Sequence, residues 1–323
     1  QKAGRINTTN GHSFYGYQSG SVTASGGQNS GFGSGSLKAV TTGSQNSAFG
    51  SNALINHTTG NFNTAIGQSA LAINTTGSYN TALGVAASVS NTTGSYNTAI
   101  GLQSSYNNTT GQENTAIGYN SLFSNTTGSF NTANGSQALF SNTTGQENTA
   151  TGYKALFANT TGSNNTAYGS QALKSTNTGS NNSAFGDQAL DNNTTGSFND
   201  AFGRNALTAN TTGSYNIAIG NFVLASNTSG IRNVAIGAGA GNAVTTATGN
   251  VFLGNQAGFY ETGSDNLYIS NSSTSLTPLI YGDFSTGNVG IGTTSANALL
   301  QLANGNANRK LVLHDALNND HQF

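Results

Sequence analysis

The chain has 323 residues and a formal net charge of −1, with only 6% of its residues charged against about 25% in ordinary domains. Its nine Lys and Arg form no cationic cluster for a phosphate backbone, which argues against nucleic acid, and the lack of Cys excludes disulfides, thiol catalysis and Cys-ligated zinc. Forty-four Gly and a single Pro beside 12 Tyr and 16 Phe describe a chain of small polar residues that still has something to pack.

Residues 1–10 are a lead-in, "QKAGRINTTN", that does not read as a signal peptide. No run approaches the roughly 18 apolar residues that span a bilayer, so no membrane insertion is expected within this segment. From residue 11 to about 258, variants of "NTTGSYNTAIG" (residues 91–101) recur. The Gly that closes each copy falls at every seventeenth position from Gly16 to Gly254, fifteen times, without insertion or deletion. Such strictness means that each residue stacks over its equivalent in the next copy. Seventeen residues are too few for a helical hairpin repeat of about 34, and Thr, Asn and Gly are poor helix formers. The expected fold is all-β: a parallel β-roll or β-solenoid of about fifteen 17-residue coils. Two short strands and two turns per coil, at about 4.8 Å between coils, give a rod of roughly 70 Å.

Four positions before the closing Gly stands Asn in fourteen consecutive coils, among them Asn63, Asn80 and Asn97. A stacked amide donates to one neighbour and accepts from the other, forming a ladder. Two before stands Ala in twelve coils, among them Ala65, Ala82 and Ala99, so the slot admits a methyl. Gly67, Gly84 and Gly101 close these coils, and a second Gly seven before suggests a turn that needs positive φ. One before the Gly stands a large apolar residue such as Ile66 or Leu83; four after it stands Leu, as at Leu54 and Leu71. We expect the Ile-type and Leu slots to fill the coil and the small Asn, Ala, Gly face to meet another chain. The opposite assignment, with Ile toward the partner, stays open. So thin an interior favours association into a cyclic homo-oligomer.

Residues 259–323 read as a β-rich cap or neck holding half of the ten acids: Glu261, Asp265, Asp283, Asp315 and Asp320. A solenoid needs closed ends because terminal strands expose unpaired edges.

"NTAIGQSAL" at Asn63 to Leu71 resembles the "NSxAIGxxSxA" head repeat of trimeric autotransporter adhesins, the YadA-like repeat, and the likeness covers about residues 11–258. Asn266 to Leu302 is similar to segments that close such repeats in bacterial surface fibres and phage tail-fibre-like proteins. The resemblance implies a homotrimer of parallel β-rolls with extracellular, cell-surface or virion placement. The stop at "DHQF", in mid-pattern, is read as that of a truncated or processed product.

Candidate ligand-facing residues occupy the slot five before the Gly: Phe62, Tyr79, Tyr96, Phe130, Phe198 and Tyr215, alternating with Glu113, Glu147 and Arg232. A slot that takes charge reaches water, and exposed rings there either stack on a cell-surface glycan or protein receptor or cover neighbouring coils. "NTT" or "NTS" at Asn74, Asn91, Asn108 and later coils is formally a glycosylation sequon, with a turn as the plainer reading. Adjacent Thr, as at Thr75 and Thr76, point to opposite faces and so disfavour ice binding. The acids are too dispersed for a catalytic groove or for a calcium-binding roll, and His12, His57, His314 and His321 lack ligand spacing, so no metal, cofactor or catalytic residue is expected. "GAGAGNA" at Gly237 and "GNVGIG" at Gly287 read as turns. The expected function is a structural adhesive fibre segment, not an enzyme; a phage or injection-machine tail fibre is the alternative, and a β-helix polysaccharide enzyme a more distant one.

Overall fold

The computed structural model of the chain describes residues 5–7, 10–20, 24–272, 278–303, 312–314 and 320–322; most of the lead-in, Asp315 and Phe323 lie outside them. Among the described residues there is no helix, and about fifteen parallel coils of seventeen residues form a β-solenoid. The chain divides into two units, Gln1–Phe198 and Asn199–Phe323.

In the first unit, Arg5–Asn7 pairs antiparallel with His12–Tyr15, which starts eleven parallel strands running to Ser183–Phe185. Their register is the sequence period itself: Thr64, Ala65 and Ile66 face Thr81, Ala82 and Leu83. In the second unit, four coil strands from Asp200–Phe202 to Val251–Leu253 are followed by a parallel strand, Asn266–Ile269. Ile280–Asp283 and Asn288–Ile291 then continue antiparallel, and Leu300–Leu302 lies parallel to the latter. Val312–His314 and Asp320–Gln322 form a separate antiparallel pair.

Each coil carries one three-residue strand, not the two expected. Three non-glycine residues per coil take left-handed backbone angles, for example Phe62 (φ 58°), Ser69 (φ 58°) and Leu71 (φ 50°). Such angles bend the chain before a second strand can extend. The bends persist because neighbouring coils hold their amides: Ser69 N donates to Ser51 O at 2.9 Å and Leu71 N to Ala87 O at 3.0 Å.

The expected facing of the strands is also corrected. Ala65, Ala82 and Ala99 are wholly buried, as are Leu54, Leu71 and Leu122, whereas Ile66 and Leu83 point outward. A strand of three residues alternates, so the Ala side chain that faces in forces its neighbours out. Across so thin a coil, Ala opposite Leu fills the space; Ile opposite Leu would overpack it. Asn134 and Thr151, which occupy the Ile slot, accordingly sit outside the core.

The Asn column lies inside, where its amides are hydrogen-bonded from coil to coil. Asn80 Nδ2 donates to Asn63 Oδ1 at 3.1 Å and to Gly94 O at 2.8 Å, and Asn80 N donates to the same Oδ1 at 3.0 Å. Asn63 and Asn97 repeat this pattern. Both amide hydrogens and both acceptor sites are thus used, which is what burial of an amide requires. A second ladder is built from the sequon Asn: Asn91 Nδ2 donates to Asn74 Oδ1 at 3.1 Å and to Gly94 O at 2.9 Å. These side chains are buried, so the nitrogen that would carry a glycan is enclosed and committed. Each ladder rests on an imidazole. Asn29 N donates to His12 Nδ1 at 3.3 Å, and Asn74 Nδ2 lies 3.2 Å from His57 Nδ1.

The two glycine columns answer different demands. Gly67 has φ +135°, but Gly77, seven before its closing Gly, does not lie in the positive-φ region; a Cβ there would stand 2.3 Å from Gly94 O and 2.5 Å from Asn74 Oδ1. Close approach of the ladder, not turn geometry, excludes a side chain at Gly77. Near the outer coils the core changes partners. Phe14 takes the Ala slot and Gly20 the Leu slot, where a Cβ would meet the Phe14 ring at 2.2 Å. Phe252 likewise fills its coil over Gly241 and Gly258.

Candidate functional site

With the ladders and the Ala column inside, whatever this protein recognises must be recognised by the outward columns. Of the residues singled out from sequence, Asn63, Asn80, Asn97, Ala65, Ala82 and Ala99 are core, and Gly67, Gly84 and Gly101 are backbone corners. Phe62, Tyr79, Tyr96, Phe130, Phe198 and Tyr215 are all exposed. Phe62, Tyr79 and Tyr96 come together as a continuous stack with centroids 4.9 Å apart at each step and rings 10° and 3° from parallel. The coil spacing is the stacking distance of flat rings, so the period itself aligns them. Phe130 stands apart from that stack, between the slots of Glu113 and Glu147.

One further column was not expected from the sequence, and the Ile-slot column, expected inside, lies outward as the alternative assignment had it. Tyr106, Phe123, Phe140 and Phe157 form a half-buried stack at 5.1–5.2 Å, and Lys154 Nζ lies 5.4 Å from the Phe157 ring centroid. The signal was present in the sequence as an aromatic five after the closing Gly in four consecutive coils. In the Ile-slot column, Phe32 and Phe49 stack at 4.9 Å and Ile66, Leu83 and Ile117 follow, each of these five 37–44% exposed. It is joined at its middle by Val85, Leu102 and Tyr119, one position beyond the closing Gly, where most coils carry a polar residue. The result is a broad apolar band on the outer face of the first unit.

Charge plays little part on these surfaces. Lys174 and Asp191 pair at 3.0 Å. In the second unit, Glu261 accepts a hydrogen bond from the Tyr268 hydroxyl, and its other oxygen accepts from Thr262 N at 2.9 Å. Burial, then the Glu261 carboxylate, pushes the Tyr268 hydroxyl far above its ordinary range, so it remains a proton donor that ties the strand to the turn. Burial lowers the His57 pKa and keeps its ring neutral. Ser285 and Thr286 hydrogen bonds hold the exposed Asp283 carboxylate below its usual range. Among the described residues no three His, Asp or Glu side chains meet as a metal-binding group, and no helix is long and apolar enough to cross a membrane.

Comparisons with protein-family models, curated proteins and solved structures find no match. The surfaces must therefore be read from their own chemistry. Stacked rings and an aliphatic band offer flat, uncharged contact to another protein surface or to the apolar face of a sugar.

Proposed function

We propose that the chain is a structural segment of an extracellular fibre, a cell-surface adhesin, that assembles as a homotrimer through its outward apolar band. The observation that supports this reading is the cluster of Leu83, Ile100, Ile117, Val85, Leu102 and Tyr119 on adjoining coils. Exposed apolar residues gathered on consecutive coils are the kind of surface that marks an interaction site. A period-locked column is also self-complementary, because every copy presents the same spacing to the next.

The reason for association differs from the one expected from sequence. One chain already completes its core, so a partner is not needed to bury Ala or Asn; it is needed to cover the band. The repeat pattern supplies the trimer and the surface setting as a resemblance, and the coil-to-coil ladder through Asn63, Asn80 and Asn97 supplies stiffness. Catalysis has no part in this account.

Light scattering on purified protein tests the assembly. The reading expects a particle of three times the 32.6 kDa chain mass. A particle of one chain's mass at micromolar concentration would overturn it.

A further inference from the structure

The repeat is broken at one place that the fibre reading does not use. "GAGAGNA", from Gly237, puts Ala238 and Gly239 where the coils on either side carry Asn221 with Phe222 and Asn255 with Gln256. One coil thus loses two outward side chains. The flanking backbones, two coil spacings apart, remain about 10 Å from each other.

The missing side chains leave an open cleft of about 330 Å³ within the second unit, lined by Phe222, Phe259, Ala238 and Gly239. Four amides, those of Asn221, Asn242, Asn255 and Gln256, complete its lining, and none of its residues is charged. The walls are fixed. Asn242 Nδ2 donates to Phe222 O at 3.1 Å, Gln256 N donates to Ala238 O at 2.8 Å, and Arg204 lies 5.6 Å from the Phe222 ring centroid. A Cβ on Gly239 would touch Gln256 Cγ at 3.3 Å and the Phe259 ring at 3.4 Å, so a longer side chain there would occupy the space.

From this combination we infer that the cleft is a binding site for a neutral pyranose sugar. Aromatic rings offer an apolar surface to the C–H face of a sugar ring, and primary amides both donate to and accept from its hydroxyls. No lining residue carries charge, the Arg204 guanidinium beside it being stacked on the Phe222 ring, which favours a neutral sugar, and the volume lies at the small end of ligand sites, about right for one or two rings. The inference gives the adhesive reading its ligand class and rests on it only for the biological setting. Mass in solution tests the fibre; sugar binding tests the cleft.

The test is saturation-transfer NMR on the full chain with methyl glycosides of glucose, galactose, mannose and N-acetylglucosamine at millimolar concentration. Transfer to the ring protons of at least one is expected. Gly239→Gln places in the cleft the residue that Gln188 and Gln256 already present at this slot with φ 58° and 56°, so the backbone accepts it. It should abolish transfer while the chain still melts in one cooperative transition, lowered by no more than the roughly 1 kcal/mol that a side chain costs at a Gly position. A second variant, Asn255→Ala with Gln256→Ala, removes rim amides outside the core and should weaken binding by roughly tenfold. No transfer to any of the four sugars, or transfer undiminished in both variants, would overturn the inference. Loss of transfer only on changing Tyr79 and Tyr96 to Ser would also overturn it, by assigning the sugar to the exposed stack.

Discussion

His57 Nδ1 lies 3.2 Å from Asn74 Nδ2 and accepts its hydrogen, while His57 Nε2 donates to Gly60 O at 2.7 Å. The imidazole therefore does at the base of the second ladder what an Asn amide does in the coils that follow. Only the neutral ring can do it, since a protonated Nδ1 would confront a donor with a donor.

This relationship makes stability depend on pH. Burial lowers the folded-state pKa of His57 below its ordinary value of 6.5, and its hydrogen-bond partners, Gly60 and Asn74, carry no charge to offset protonation. The unfolded chain then binds the proton first as pH falls. The contribution is complete above about pH 6.5 and is lost below it, toward the folded pKa, with a slope of up to about 1.4 kcal/mol per pH unit. Thermal melts should show the melting temperature dropping from pH 7 to pH 5 in the native chain and a smaller drop in His57→Asn, which extends the ladder by one amide.

Asn80→Ala removes a residue that both donates and accepts. Asn63 Oδ1 loses the Nδ2 donor and keeps only the backbone N of residue 80, Gly94 O loses its donor, and the Asn97 N and Nδ2 groups lose their acceptor. Leaving these groups buried and unpaired costs about 3 kcal/mol or more. Asn80→Asp fares no better at neutral pH, because a carboxylate cannot donate to Gly94 O. Urea unfolding followed by circular dichroism measures both, and coils contact only their neighbours, so hydrogen exchange should place the loss in the coils around the change.

Ser88 and Ser105 interrupt the Leu column. Both are buried, neither hydroxyl has a hydrogen-bond partner, and their backbone angles (φ 50° and 49°) match that of Leu71. Ser88→Leu and Ser105→Leu should each stabilise the chain by about 1–2 kcal/mol by burying an aliphatic side chain in place of an unpaired hydroxyl. Leu122→Ala should cost about 2–5 kcal/mol through the cavity it leaves. Denaturant midpoints compare all three.

Gly77→Ala separates the two reasons for glycine. Its Cβ would meet Gly94 O and Asn74 Oδ1 well inside contact distance although no left-handed angle is involved. Replacing Gly77 with Ala should therefore destabilise the chain by several kcal/mol, more than the roughly 1 kcal/mol of an ordinary helix or strand exchange. A midpoint shift small enough for propensity alone would contradict the crowding.

The period was legible because stacking tolerates no slip: fifteen glycines at one interval dictate the register that joins Ala65 to Ala82. The sidedness was not. A strand of three residues is too short for its alternation to say which face is inside, and the polar Asn63 ordinarily argues for solvent. Its inward placement makes sense only once the stack supplies partners for the whole amide. The second ladder was hidden for the same reason, since Asn74 in "NTT" carries the local signature of a turn and its burial depends on coils seventeen residues away. The cleft at Gly239 was visible only as a departure from the repeat. Its walls come from the coils on either side, so the residues that break the pattern say nothing alone about what they leave open.

The facing of the strand is the claim on which the surface account depends, and the chain's lack of Cys makes a direct measurement simple. Single cysteines at Ala65 and Ile66 place one thiol on each side of the same strand. The account predicts that Ala65→Cys stays unreactive to maleimide until the protein unfolds, while Ile66→Cys joins neighbouring copies by a disulfide on mild oxidation. A folded protein in which the Cys at position 65 reacts freely and the Cys at position 66 stays inert would contradict it.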